Sequence, residues 1–352
     1  MRVVHLVEIL AGGPATFLNQ LLPLQARSYQ SVTLVCPEDQ IHLLDCPEVK
    51  IIPAPRQSRS PAGIWKWRDF WAKTVRGTDA DIVHLHSTFA GLIGRVNVRP
   101  SGAKVVYCAH GWSHSRVKSL AKKQIYASVE RFLAHDTAAI INISGAEHLL
   151  AQEYRIQTGK DFVVRNGIAD ASWTPLPITA GARKLLFVGR FDRQKGVDLL
   201  LDAFKSIESE GFELTLIGEP VVGTESPVIP KSVTYLGWQS AAGVQDAIQK
   251  SDILVVPSRW EGFGLVAVEA MRAGRPVVAA RVGGLAEVVV DGVTGALFEP
   301  GNLGSLIRAI RETSQKDIQQ LGVNGRARFE REFTSDRLFA ETHKVYKTVL
   351  NV

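Results

Sequence analysis

Short apolar runs, rich in β-branched residues and lacking a polar–apolar alternation, recur along this 352-residue chain and dictate its fold class. In the first half they fall at 3–7, 32–36, 81–85, 104–108, 139–143 and 162–165. In the second they fall at 184–188, 213–217, 233–236, 252–256, 276–280 and 296–298. A strand with one wet face alternates apolar and polar residues; a strand apolar throughout is covered on both faces, as in a parallel sheet flanked by helices. Helical patterns lie between the runs, at 197–207, 241–250 and 265–273 among others, so the repeated unit is βαβ. The expected class is α/β, with two doubly wound Rossmann-like domains facing across a cleft. Residues 168–183, with Pro175 and Pro177, interrupt the pattern and read as a linker. The expected division is 1–170, 171–335, and a terminal helix over 336–352 that can pack back on the first domain. The stretch 316–350 reads as one long, charge-rich helical run. In open sheets of this kind the ligand lies beyond the carboxyl ends of the strands, so the loops that follow them are where chemistry is expected.

Charge separates the halves. Residues 1–170 carry 20 Lys and Arg against 14 Asp and Glu, whereas residues 171–352 carry 21 of each. The basic excess of the first half points to an anionic partner: nucleic acid, a membrane surface or a phosphorylated substrate. No nucleic-acid module accompanies it, so nucleic acid is set aside. Within 56–76, Arg56, Arg59, Lys66, Arg68, Lys73 and Arg76 face one acid, Asp69, while Ile64, Trp67, Trp71 and Val75 share one helical face. Arg116, Lys118, Lys122 and Lys123 form a second basic patch. These segments, 56–76 and 116–123, suit an anionic membrane interface, or else an ordinary helix whose tryptophans pack on the sheet. No apolar run of about 18 residues is present to span a bilayer. Met1-Arg2 leads straight into the first strand, and Cys36, Cys46 and Cys108 lack paired spacing, so a reduced cytoplasmic setting is expected, peripheral to the inner membrane face.

Four loops carry the chemistry. Glu261-Gly262-Phe263-Gly264-Leu265-Val266-Ala267-Val268-Glu269 follows the strand 252–256 and opens a helix, where glycines allow close approach and free N–H groups favour a phosphate. Its two carboxylates suit hydroxyl groups rather than phosphate. Gly189-Arg190-Phe191-Asp192-Arg193-Gln194-Lys195-Gly196 follows 184–188 and places two cations at that strand's carboxyl end, as a diphosphate requires. Gly12-Gly13-Pro14 follows the first strand and opens a helix over Ala15 to Gln25; it is an anion site or a plain tight turn, and not a dinucleotide fingerprint. His110-Gly111 follows 104–108. His84, His86, His110 and His114 lack the spacing and carboxylate partners of a metal site, so no metal is assigned.

Taken together, these motifs resemble glycosyltransferase family 4, whose members are retaining enzymes of the GT-B fold. The resemblance also takes in Asn166-Gly167, Gly274-Arg275-Pro276-Val277-Val278, Gly283-Gly284-Leu285-Ala286-Glu287 and Asp291-Gly292-Val293-Thr294-Gly295. It implies that Arg190 and Lys195 hold a donor diphosphate, that Glu261 contacts the donor sugar's hydroxyls, and that Glu269 binds the ribose. Backbone amides at Gly264, Leu265 and Val266 would face the diphosphate, with Gly12, Gly13, Gly189, Gly262 and Phe263 completing the donor site. His110 would stand near the transferred sugar and the acceptor. The implied reaction moves a hexose-type sugar from a UDP-, GDP- or ADP-sugar to a saccharide, carried on a polyprenyl diphosphate in polysaccharide or glycolipid synthesis. It calls for no metal and no organic cofactor. Base selection would rest near Trp238-Gln239. The rival readings are a nucleotide-sugar epimerase of the same fold, which needs no acceptor, and a non-catalytic sugar-nucleotide binding protein.

Overall fold

The computed structural model describes residues 1–10, 12–55, 60–97, 102–117, 119–170, 181, 183–220 and 227–352. Most of the expected linker (171–180 and 182) lies outside the described residues, as do Arg56, Arg59, Lys118 and the Arg116 side chain. Two compact units form: Met1–Ala169 with Ser335–Val352, and Asp170–Thr334.

The first unit contains β1 (Arg2–Val7), α1 (Gly13–Ser28), β2 (Ser31–Pro37), β3 (Lys50–Ala54), α2 (Pro61–Arg76), β4 (Ile82–His86), α3 (Thr88–Asn97), β5 (Lys104–Cys108), α4 (Leu120–Ala134), β6 (Ala139–Asn142), α5 (Gly145–Glu153) and β7 (Asp161–Val163). Its strands pair in parallel in the order β3-β2-β1-β4-β5-β6-β7. The order reverses between β1 and β4, where Val3–Val7 lie in register with Ile82–His86. β3 escapes the run pattern because Pro53 interrupts it; an edge strand tolerates the lost donor. Buried aliphatic residues of β1, β4 and β5 join Trp67, Trp71, Tyr107 and Trp112 in one core. Within that core Arg95 is almost wholly buried, ion-paired to Glu130 at 2.5 Å and stacked over the Tyr107 ring at 3.9 Å. A buried charge of this kind is tolerated only when paired.

The second unit contains β8 (Lys184–Val188), α6 (Val197–Ile207), β9 (Glu213–Ile217), β10 (Thr234–Tyr235), α7 (Ala241–Lys250), β11 (Ile253–Val256), α8 (Leu265–Arg272), β12 (Val277–Ala280), α9 (Leu285–Val288), β13 (Gly295–Phe298), α10 (Leu303–Gln315) and α11 (Ile318–Glu332). Its parallel order is β10-β9-β8-β11-β12-β13, with the switch between β8 and β11. The stretch 316–350 is two helices rather than one. α11 ends at Glu332, and α12 (Ser335–Leu350) belongs with the first unit, where it packs on α1. The turn between them contains neither Gly nor Pro; its only local mark is Thr334-Ser335-Asp336, residues that favour a helix start.

The amphipathic face of α2 is corrected in one respect. Trp67, Trp71 and Val75 do share a face, but all three are buried in the sheet core, so that face does not meet a membrane. Trp67 Nε1 donates to the Pro55 carbonyl at 2.9 Å, the partner a buried indole requires. On α2 it is Trp65, 59% exposed and covered by the Arg68 guanidinium at 4.4 Å, that faces outward.

Trp71→Ala should therefore destabilise the first unit by about 3–5 kcal/mol, the cost of emptying a buried aromatic site. Trp65→Ala should change stability by no more than about 0.5 kcal/mol. Urea denaturation of the two variants checks the contrast, and equal losses would contradict this packing.

Candidate active site

Both switch points collect polar side chains at the carboxyl edge of their sheets, where the strands part and their loops diverge. In the second unit the loop leaving β8 is organised by Asp192. One carboxylate oxygen accepts the Lys195 amide at 2.9 Å, and the other accepts Arg190 Nε at 3.0 Å. Arg190 also donates to Gln194 Oε1 at 3.2 Å and remains about half exposed. Gln194 Nε2 donates to the Trp260 carbonyl at 3.1 Å, while the Arg259 amide donates to the Gln194 carbonyl at 2.8 Å. These bonds tie the loop after β8 to the loop after β11.

Lys195 and Glu261 meet across that seam. Nζ and Oε2 stand 2.5 Å apart, with both side chains mostly buried, and Ser258 Oγ donates to the same carboxylate oxygen at 3.4 Å. Two glycines permit the approach. Gly196 has φ +68, and an added Cβ would overlap the Pro257 carbonyl oxygen. Gly283 has φ +44 and lies against the Glu261 carbonyl in the same way, while the Gly284 amide donates to that carbonyl at 3.3 Å. The Gly283-Gly284 pair is thus a brace under Glu261, and its backbone contact excludes side chains.

Gly262, Phe263, Gly264, Leu265 and Val266 follow as one turn into α8. Gly264 is the N-cap, with no side-chain capping bond and no acid in the first turn. The first-turn amides point out of the helix with its partial positive charge, a suitable place for an anion. Phe263 is buried edge-on against Phe333, with ring centroids 5.8 Å apart, and anchors the turn. Glu269 lies further along α8; burial pushes its carboxyl up to about 7, with Arg272 pulling the other way. Gly189 donates its amide to the Ile217 carbonyl at 3.0 Å and starts the β8 loop. Trp238, named for base selection, is 66% exposed.

In the first unit His110 follows β5 in left-handed backbone, φ 50, before Gly111 at φ 108. Its ring meets Phe17 of α1 edge-on at 4.8 Å, and its Nε2 lies 2.9 Å from His86 Nδ1. Burial holds the imidazole down to about 4, so it is neutral near pH 7. Gly12, at φ 83, and Gly13 are exposed at the start of α1, and a Cβ on either would meet nothing within 4 Å. Space, not packing, surrounds them. Sequence reasoning missed Glu8, buried at the end of β1, whose Oε2 accepts from Ser87 Oγ and from the Ala90 amide, both at 3.1 Å. It also missed Asp192 and Ser258, which announce themselves only by distance. His5 was hidden inside the first apolar run; its ring nitrogens come within 4.8 Å of those of His84 and His86. Asp79-Ala80-Asp81, the chain's Asp-x-Asp sequence, precedes β4 at the opposite edge of the sheet, and there Asp81 accepts from the Arg2 amide and guanidinium at 2.7 and 3.0 Å.

Comparison with known proteins fits this geometry. Residues 11–171 match Glycosyltransferase Family 4, and residues 182–316 match Glycosyl transferases group 1. A Klebsiella pneumoniae protein, described as an uncharacterized 41.2 kDa protein in cps region, is 33% identical over 318 residues, covering 86% of this chain and 87% of the relative. Among solved structures, sucrose-phosphate synthase from Thermosynechococcus elongatus superposes with a TM-score of 0.84 at 21% identity and covers 99% of both chains. Anabaena HepE in complex with UDP and glucose gives a TM-score of 0.81 at 19% identity, covering 99% of this chain and all of its own. The fold is the GT-B fold of these glycosyltransferases.

A raised carboxyl pKa has a defined effect on stability. Folding favours protonated Glu269, so its contribution is full below the unfolded value near 4.5 and is lost as pH rises through about 7. Glu269→Gln should therefore match the wild type at pH 5 and exceed it in stability at pH 8. Denaturation curves at both pH values check this; a difference independent of pH would contradict the assignment.

Proposed function

The chain belongs to glycosyltransferase family 4, and on that premise we propose that it transfers a hexose-type sugar, with retention, from a nucleoside-diphosphate donor to a saccharide acceptor. The observation that carries this reading is the Lys195–Glu261 pair beside the uncapped start of α8. The donor diphosphate takes Lys195 and Arg190 as cationic partners, with the amides of Gly264, Leu265 and Val266 as donors. Glu261, released from Lys195, then accepts from hydroxyls of the sugar. Glu269 accepts from the ribose.

In transfer, the bond between the anomeric carbon and the diphosphate oxygen breaks, and its electron pair leaves with the nucleoside diphosphate. The acceptor oxygen bonds the anomeric carbon on the same face, and its proton passes to the departing diphosphate oxygen. Negative charge therefore grows where Lys195, Arg190 and the helix amides stand, and fixed donors at such a point lower the barrier by about 3–4 kcal/mol each. These fixed cations supply the stabilisation a divalent ion would give, so the reaction is proposed to be metal-independent. The UDP and glucose bound to HepE support a nucleotide-hexose donor. His110, neutral and at the carboxyl edge of the first sheet, is assigned to hydroxyl groups of the transferred sugar or acceptor.

The acceptor is proposed to be lipid-linked, reached by docking of the first unit on an anionic membrane surface. α4 supports this. Its buried residues Ala127, Glu130 and Ala134 lie on one side, while Ile125, Val129 and Phe132 project on the other at helical spacing. Leu120 and Phe132 are 75% and 72% exposed, with Lys122, Lys123 and Arg131 among them. An apolar ridge set in basic residues matches the boundary between lipid headgroups and chains. Among the described residues no helix is long and apolar enough to cross a membrane.

Two measurements test the reading. With UDP, GDP or ADP at about 100 times its dissociation constant, the accepted nucleotide should stabilise the protein by about 2.7 kcal/mol. Lys195→Ala should abolish that shift, whereas Glu261→Ala should retain it yet lose sugar transfer by about 100-fold or more. Near-native transfer in both variants would overturn the site. In flotation assays the wild type should bind vesicles containing anionic lipid, and Ile125→Glu/Phe132→Glu should not. Absence of wild-type binding at low salt would remove membrane docking.

A further inference from the structure

Beneath His110 runs a chain of buried, hydrogen-bonded side chains that ends on the C-terminal helix. His110 Nε2 lies 2.9 Å from His86 Nδ1, His86 Nε2 lies 2.9 Å from His5 Nδ1, and His5 Nε2 lies 2.7 Å from Gln25 Oε1. Gln25 Nε2 donates to the Tyr346 hydroxyl at 3.4 Å, and that hydroxyl lies 2.7 Å from His84 Nδ1. His5, His84, His86 and Gln25 are wholly buried, as is Tyr346 on α12. The β1–β4 register sets His5 opposite His84, and the period of a strand puts His86 on the same face.

A neutral imidazole has one N–H and one lone pair, so such a chain can run in only two directions. Burial holds His5 and His110 down to about 4, and His86 well below its ordinary value, so all three are neutral near pH 7. The direction is then set at the Gln25 end. A carbonyl oxygen only accepts, so His5 carries its proton on Nε2 and accepts at Nδ1. His86 must donate from Nε2 and accept at Nδ1. His110 donates from Nε2 and keeps an acceptor lone pair on Nδ1. The orientation of the Gln25 amide depends in turn on Tyr346, whose oxygen takes the amide N–H while its own proton goes to His84 Nδ1. The 2.7 Å separation suits an O–H donor.

We propose that Tyr346 and Gln25 are positioning residues that fix His110, through His5 and His86, as the tautomer whose Nδ1 accepts a hydrogen bond from a sugar hydroxyl. The role given to the sugar hydroxyl rests on the functional reading above; the tautomer does not. A tri-histidine metal site is the competing use of the same rings. It would require lone pairs from His5 and His86, whose four ring nitrogens are already engaged with one another, Gln25 and His110. With Tyr346→Phe the amide of Gln25 loses its acceptor and can turn over. Reversal would place N–H on His5 Nδ1, on His86 Nδ1 and finally on His110 Nδ1.

Long-range proton–nitrogen correlation spectra of the 15N-labelled full chain at pH 7.5, with rings assigned from His86→Gln and His110→Gln, read the tautomers directly. The expected result is Nε2–H on His5, His86 and His110 in the wild type, with a shift of His110 toward Nδ1–H in Tyr346→Phe. Gln25→Leu, which removes the carbonyl instead, should give the same shift. His110 found as Nδ1–H or doubly protonated in the wild type overturns the proposal. So does a His110 tautomer untouched by both variants, or ring shifts marking a bound metal ion. In a transfer assay Tyr346→Phe should lower turnover by about 10- to 100-fold, the range found when a partner orienting a metal-ligating histidine is lost, with the nucleotide thermal shift unchanged. A changed tautomer with unchanged turnover would leave the relay standing and sink only the role of His110 in transfer.

Discussion

The ion pair between Lys195 and Glu261 joins loops from the two strands that flank the switch point of the second sheet. Both side chains are largely withdrawn from water, and neither charge would be stable there alone. What holds them together is mostly backbone. Asp192 fixes the Lys195 amide, Gln194 bridges to Trp260, and Gly283-Gly284 supports the Glu261 carbonyl. The loop is therefore shaped by the protein itself, and under the proposed function a donor diphosphate would exchange one partner of an existing pair. On that proposal the cation is already placed and largely withdrawn from water before binding, which would lower the reorganisation required.

The first unit solves a different problem with different groups. At its switch point stand neutral rings instead of charged pairs, and their direction of hydrogen bonding carries the information. Burial does opposite work in the two units. It keeps the histidines uncharged so that tautomer is meaningful, and it strengthens the attraction between Lys195 and Glu261 by excluding water. The left-handed backbone at Ser87 and His110 belongs to the same region: both residues follow adjacent strands, and their side chains bond Glu8 and His86.

Much of this was legible in the chain, and the remainder was not, for identifiable reasons. Apolar runs without polar alternation revealed two parallel sheets because burial on both faces leaves a local signature. Lys195 and Glu261 stood out because each lies in a glycine-bounded loop directly after such a run. His5 did not, because a buried histidine inside a strand looks like any polar interruption until its partners are known. Gln25 and Tyr346 are 321 residues apart, and no spacing rule connects them. The α2 tryptophans mark the limit of periodicity: it names the residues that share a face but not what covers that face. The boundary at 335/336 was legible, but the run 316–350 read as one continuous helix because no Gly or Pro stands where α11 ends.

Charge adds a last step. In the neutral second half, cations are consumed in ion pairs: Arg259 with Asp198, Arg311 with Glu210, Arg326 with Asp170 and Glu330, Arg281 with Asp291. In the basic first half, Lys122 lies beside an exposed apolar ridge of Ile125, Val129 and Phe132 on α4. A ridge of isoleucine, valine and phenylalanine in water is unfavourable by roughly 25 cal/mol for each Å² left uncovered. Cations beside it would raise the solubility of the folded chain, yet acids do so more effectively and none stands on that ridge. Under the proposed membrane docking, uncovered apolar area beside positive charge is what a negatively charged, partly apolar surface would complement.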